Sequence, residues 1–254
     1  MNGKLNFKTL AGSLVAVGLL GATLMADTGT AARYDTQLQN AVTQKLASKS
    51  QFSNIRASVE DGIVTLTGTV DLYQRKLDAG KLAKKTPNAQ GVRNLITVEG
   101  PNVSDEQLEN KLAKKLTYVR EGYDSTFDYF AIGVKDGVVT IEGADRTGVG
   151  RDEAMADIAN MRGVKDIVDN VSLEPVSPFD DGIRLRVLRA VYGDPVLNKY
   201  AIDPARPIRI VVANGHVTLY GEVNNAMDRN IAGIRAGSVF GAFTVENKLQ
   251  VAKS

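Results

Sequence analysis

One octet occurs three times in this chain, and each copy opens on a tight-turn dipeptide. Asp61-Gly62-Ile63-Val64-Thr65-Leu66-Thr67-Gly68 returns as Asp136-Gly137-Val138-Val139-Thr140-Ile141-Glu142-Gly143, and again as Asn214-Gly215-His216-Val217-Thr218-Leu219-Tyr220-Gly221. The copies start 75 and 78 residues apart, too far for solenoid repeats and suited to small domains. Asp-Gly or Asn-Gly between alternating apolar runs signals a β-hairpin, because a type I′ turn needs positive φ at both central residues. The closing glycines Gly68, Gly143 and Gly221 are expected to end the second strand at a bulge or tight exit.

Each hairpin has the same neighbours. An amphipathic helix precedes it: Leu38, Val42 and Leu46 repeat behind Asp35 as an expected N-cap. The second such helix starts at Ser104 and carries Leu108, Leu112 and Leu116; the third starts at Asp180 and carries Ile183, Val187 and Val191. A second helix follows over 71–85, 152–161 and 225–238, then a last strand over 92–98, 164–173 and 243–251. From the turn glycine to the glycine before that strand, the second and third copies span 26 residues. The first spans 29, to Gly91, which predicts a connection lengthened by Thr86-Pro87-Asn88.

The fold class expected is α+β: three tandem αββαβ units, each a three-stranded mixed sheet with two helices packed on it. They cover residues 34–100, 104–174 and 178–252. Short linkers, Pro101-Asn102-Val103 and Pro175-Val176-Ser177, predict that the units touch. Ahead of them, Lys4 and Lys8 precede an apolar run that gives way to small residues by Ala26. That order predicts a secretory signal peptide over 1–26, and hence a periplasmic protein.

This layout, with the Gly163-Val164-Lys165-Asp166-Ile167-Val168-Asp169-Asn170-Val171 segment, resembles the BON domain, a family named for bacterial osmotic-stress and nodulation proteins. The resemblance implies an exported protein that binds phospholipid and supports the envelope under osmotic stress. A periplasmic holdase or protein-interaction scaffold is the alternative it implies. The matching residues are turn glycines and core aliphatics, so they specify a fold more than a function.

Composition narrows the chemistry. Cysteine is absent and His216 is the lone histidine, which excludes thiolate chemistry and multi-histidine metal sites. His216 lacks a surrounding nucleophile–carboxylate set, so it reads as a surface or half-buried strand residue. Gly148-Val149-Gly150 begins like a dinucleotide fingerprint, but Glu153 stands where a third glycine is required. No catalytic residue, metal site or cofactor is therefore expected. Nucleic acid is not expected as a partner either, with tryptophan absent and aromatics at 6%.

Charge is distributed unevenly. Residues 34–100 carry nine basic and six acidic side chains, residues 104–174 nine and fifteen, and residues 178–254 ten and seven. The resulting +3, −6, +3 series predicts basic ends able to meet an anionic partner. Two clusters are the candidate lipid contacts: Arg184, Arg186 and Arg189 on the helix opening the third unit, and Lys81, Lys84 and Lys85 closing the second helix of the first. A basic amphipathic helix gains about 1 kcal/mol per cation near an anionic bilayer.

Overall fold

The computed structural model describes residues 28–118, 126–174, 176–202 and 207–252. The expected signal peptide over 1–26 lies outside them.

The first unit runs α1 (Thr28–Ala47), a short 3-10 turn, β1 (Ile55–Glu60), β2 (Ile63–Val70), α2 (Tyr73–Lys84), β3 (Gly91–Asn94) and β4 (Thr97–Val98). The second runs α3 (Asp105–Tyr118), β5 (Tyr129–Lys135), β6 (Val138–Asp145), α4 (Val149–Ala159) and β7 (Asp166–Leu173). The third runs α5 (Pro178–Tyr192), α6 (Lys199–Ile202), β8 (Arg209–Ala213), β9 (His216–Tyr220), β10 (Glu222–Val223), α7 (Ala226–Gly237), β11 (Thr244–Asn247) and β12 (Gln250–Val251). In every unit the octet strand is central: antiparallel to the strand before it and parallel to the last one.

All three octets begin in a turn with both central residues at positive φ: 51° and 75°, 55° and 80°, 51° and 79°. That is the type I′ geometry the dipeptides demand. A carboxylate from the opening helix clamps each turn. Asp35 accepts from Asp61 N and Gly62 N at 2.8 Å each; Asp105 accepts from Asp136 N at 2.7 Å and Gly137 N at 2.9 Å; Asp180 accepts from Asn214 N at 2.9 Å and Gly215 N at 2.7 Å. Asp35 is thus no N-cap, because α1 begins at Thr28 and carries it well inside the helix.

The closing glycines do not all end a strand, as had been expected. β2 and β6 continue past Gly68 and Gly143, and only Gly221 separates β9 from β10. Glycine is needed there for another reason. A Cβ on Gly68 would sit 2.0 Å from the Asn54 carbonyl oxygen, and one on Gly143 1.9 Å from that of Tyr129, each at φ above +100°.

The expected lengthening in the first unit is also corrected. Parallel pairing matches Ile63 with Gly91, Val138 with Asp166 and His216 with Thr244. The residue three before each partner is Asn88, Gly163 or Gly241, all left-handed, at φ 69°, 101° and 96°. Asn88 is the counterpart of the two glycines, so the connection has one length in all three units. Asparagine tolerates this conformation better than most side chains, which hid the equivalence.

The last strand breaks after Asn94 and Asn247, whose side-chain oxygens accept from Ile96 N and Leu249 N and whose amides donate to the Lys76 and Arg229 carbonyls. The middle unit has Asp169 at this position. It accepts from Val171 N and from Arg151 Nε at 2.7 Å, and β7 stays continuous.

The first two units share one hydrophobic core, from Leu38, Val64 and Leu66 through Ala79 and Ala83 to Leu108, Val139 and Ile158. The Tyr73 hydroxyl meets the Asp166 side chain across their boundary. The third unit builds its own core around Ile183, Val187, Ile210, Val217 and Ala232, and takes in Phe127 from before β5. Between α5 and β8, the stretch from Gly193 to Ile202 forms a strap. Leu197 and Tyr200 are buried in that core, and the Tyr200 hydroxyl donates to Asp228 at 2.5 Å.

Candidate functional site

One end of the third unit exposes three phenylalanines, Phe179, Phe240 and Phe243. Ser177 caps α5 by accepting from Asp180 N at 3.2 Å, with Pro178 next; this capping sets Phe179 at the mouth of the helix. Gly241, at φ 96°, turns the chain after α7 between Phe240 and Phe243. Phe243 N then donates to the Gly215 carbonyl at 2.8 Å. This seats the Phe243 ring above the hairpin turn, where a Cβ on Gly215 would meet it at 2.6 Å.

The rings of Phe179 and Phe243 are 6.0 Å apart between centroids, and His216 presents its edge to Phe243 at 6.2 Å. Phe240, Phe243 and Phe179 are 89%, 67% and 51% exposed. Isolated exposed apolar residues are ordinary, but exposed aromatics grouped at one end of a unit are characteristic of interaction surfaces. Arg186 borders the group, donating from Nε to the Phe240 carbonyl at 3.0 Å, and Arg189 is exposed on the same helix.

The other units lack this surface. Position for position, Phe179 corresponds to Tyr34 and Ser104, Phe240 to Pro87 and Arg162, and Phe243 to Gln90 and Lys165. Arg186 corresponds to Ala41 and Lys111, and His216 to Ile63 and Val138. Three copies of one scaffold thus differ here in a concerted way, which neither fold nor stability of the repeat requires.

The expected basic cluster on α5 divides. Arg184 is not a lipid contact: it is 1% exposed, pairs with Asp181 at 2.7 Å and donates to the Val212 carbonyl at 2.5 Å. It lies on the inward stripe with Asp180, Val187 and Val191, spaced by 4, 3 and 4 residues, a periodicity visible in the sequence. Arg186 and Arg189 remain on the outside. Lys81, Lys84 and Lys85 are all exposed at the end of α2, apart from the aromatic group and without an aromatic cluster of their own.

The aromatic group itself was missed, because Phe240 and Phe243 read as turn and strand residues. His216 is exposed, with Nδ1 2.7 Å from Thr244 Oγ1. Among the described residues, no group of three or more His, Asp or Glu side chains could hold a metal ion. Also among them, no helix is long and apolar enough to cross a membrane.

The model for the BON domain matches residues 34–100 and 180–253. No curated protein matches the chain. Solved structures similar to it include CdsD, a structural protein of the type III secretion system of Chlamydia trachomatis, at 14% identity, with 86% of this chain and 93% of that one covered and a TM-score of 0.24. Another is the periplasmic domain of PrgH, a type III secretion inner-membrane protein from S. typhimurium, at 10% identity, with 83% and 100% covered and a TM-score of 0.19. Scores this low carry no functional weight.

Proposed function

The chain belongs to the BON-domain family, and from that premise we propose that it is a periplasmic, non-enzymatic binding protein that associates with anionic phospholipid at the envelope surface and supports envelope integrity under osmotic stress. The middle unit is a third BON domain in this reading, since it repeats the strand order, the turn clamp and the left-handed residue before the last strand. Export is through the segment 1–26.

The observation that carries the lipid reading is the exposed group Phe179, Phe240 and Phe243 bordered by Arg186, with Arg189 exposed further along the same helix. Aromatic rings lodge at the headgroup boundary while guanidinium groups meet lipid phosphates, so the two residue types act on adjacent layers of one bilayer. Lys81, Lys84 and Lys85 supply a second, purely electrostatic contact.

Flotation with phosphatidylglycerol-containing vesicles tests this. The mature chain is expected to float with them and be released by salt. The triple change Phe179/Phe240/Phe243→Ser is expected to abolish flotation, and Arg186/Arg189→Ala to weaken it about fivefold per residue. No flotation at low salt would overturn the reading. In that case, suppression of client aggregation through the same rings would favour the holdase alternative.

A further inference from the structure

The only histidine of the chain stands at the edge of its only exposed phenylalanine cluster among the described residues, where the other two copies have isoleucine and valine. An imidazole is the side chain whose charge ordinarily changes between pH 5 and 8. We infer that His216 makes membrane docking of the third unit acid-strengthened: on protonation it adds a cation to the aromatic–arginine surface. The inference rests on the phospholipid reading above and names the regulation of that same site.

The surroundings permit this role. His216 is exposed and leads β9, with its edge to Phe243 and its Nδ1 on the Thr244 hydroxyl, which can accept from a protonated ring. The charged groups on the adjoining elements are few. On β11, Glu246 shares the face of Thr244 and pairs with Lys248 at 3.2 Å. On β8, Ala213 lies opposite His216 and Arg209 lies four residues along the same face. On α5, Asp180 is occupied by two turn amides beneath His216, and Arg186 lies beyond the rings. With Glu246 paired and Asp180 clamped, neither carboxylate is committed to the imidazole. The added charge therefore acts outward, next to the Phe243 ring, toward an anionic surface.

The experiment compares vesicle affinity at about pH 5.5 and about pH 7.5 for the wild-type mature chain and for His216→Gln and His216→Val. The readout is the acid-to-neutral ratio within each protein, so any general weakening cancels. On phosphatidylglycerol–phosphatidylcholine vesicles the wild type is expected to bind about fivefold tighter in acid, and both variants to give a ratio near one. On pure phosphatidylcholine the wild-type ratio is expected to fall to near one as well. A pH-independent wild type, or a ratio retained in the variants, overturns the role of His216 and leaves lipid binding standing. Absence of binding at both pH values overturns lipid binding itself, and the inference with it.

Discussion

Tyr129 and Tyr220 lie face to face between the second and third units, ring centroids 3.9 Å apart and planes within 7°. Tyr129 opens β5 and Tyr220 ends β9, so the stack joins the sheets of two repeats. With it go the Arg146–Asp181 ion pair at 3.4 Å and Phe127, which inserts into the core of the third unit. Removing one ring while leaving Phe127 in place should loosen the junction and spare both units. Tyr220→Ala is expected to cost about 1 kcal/mol in chemical denaturation and to widen the small-angle scattering profile. An unchanged profile would mean that Phe127 and the Arg146–Asp181 pair hold the junction without the stack.

Alkaline stability should depend on buried phenols. Burial pushes the Tyr192 hydroxyl up to about 12 from the ordinary 10.0, and burial together with the Asp166 carboxylate does the same for Tyr73. A proton held more tightly in the folded state stabilises it fully below pH of about 10, and that stability is lost as pH rises toward about 12. Tyr192→Phe is expected to flatten this alkaline decline in denaturation midpoints measured across pH. It should also lower stability near neutrality by about 1 kcal/mol, because the Ile208 carbonyl loses its donor.

The turn clamps provide the same test in three settings. Asp35→Ala, Asp105→Ala and Asp180→Ala each deprive two turn amides of their acceptor, at about 1–3 kcal/mol. The loss should be greatest for Asp180, which is buried and leaves Gly215 N without water, and smaller for the half-buried Asp35 and Asp105. Urea midpoints of the three variants measure the order. Equal losses would show that burial of the clamp does not matter.

Arg184 and Arg189, five residues apart on α5, should separate stability from binding. Arg184→Ala removes the donor of the buried Val212 carbonyl and the partner of Asp181, and is expected to cost about 2–3 kcal/mol. Flotation of the molecules that remain folded should be unchanged. Arg189→Ala should do the opposite, leaving the urea midpoint within about 0.5 kcal/mol and weakening flotation.

Local chemistry made most of the fold legible. The type I′ turns at Asp61-Gly62, Asp136-Gly137 and Asn214-Gly215, the inward faces of the helices and the three-fold repetition all follow from nearest-neighbour conformational rules and from periods of 2 and 3.6. The misreading at Gly91 arose because a left-handed backbone position can be filled by Asn88, and only strand register shows which residue occupies it.

What tertiary structure alone decided is which charged and aromatic groups face water. Arg184 and Arg189 are the same residue type five residues apart on one helix, yet one pairs inside with Asp181 and Val212 and the other points out. Phe179 belongs to α5 whereas Phe240 and Phe243 belong to the connection between α7 and β11, and Gly241 and the Asn214–Gly215 turn bring these two places to one end of the unit. Sequence determines turns and periodic faces because they depend on residues a few positions apart. A surface assembled across more than sixty residues depends on packing, and so does the solvent exposure that gives it a function.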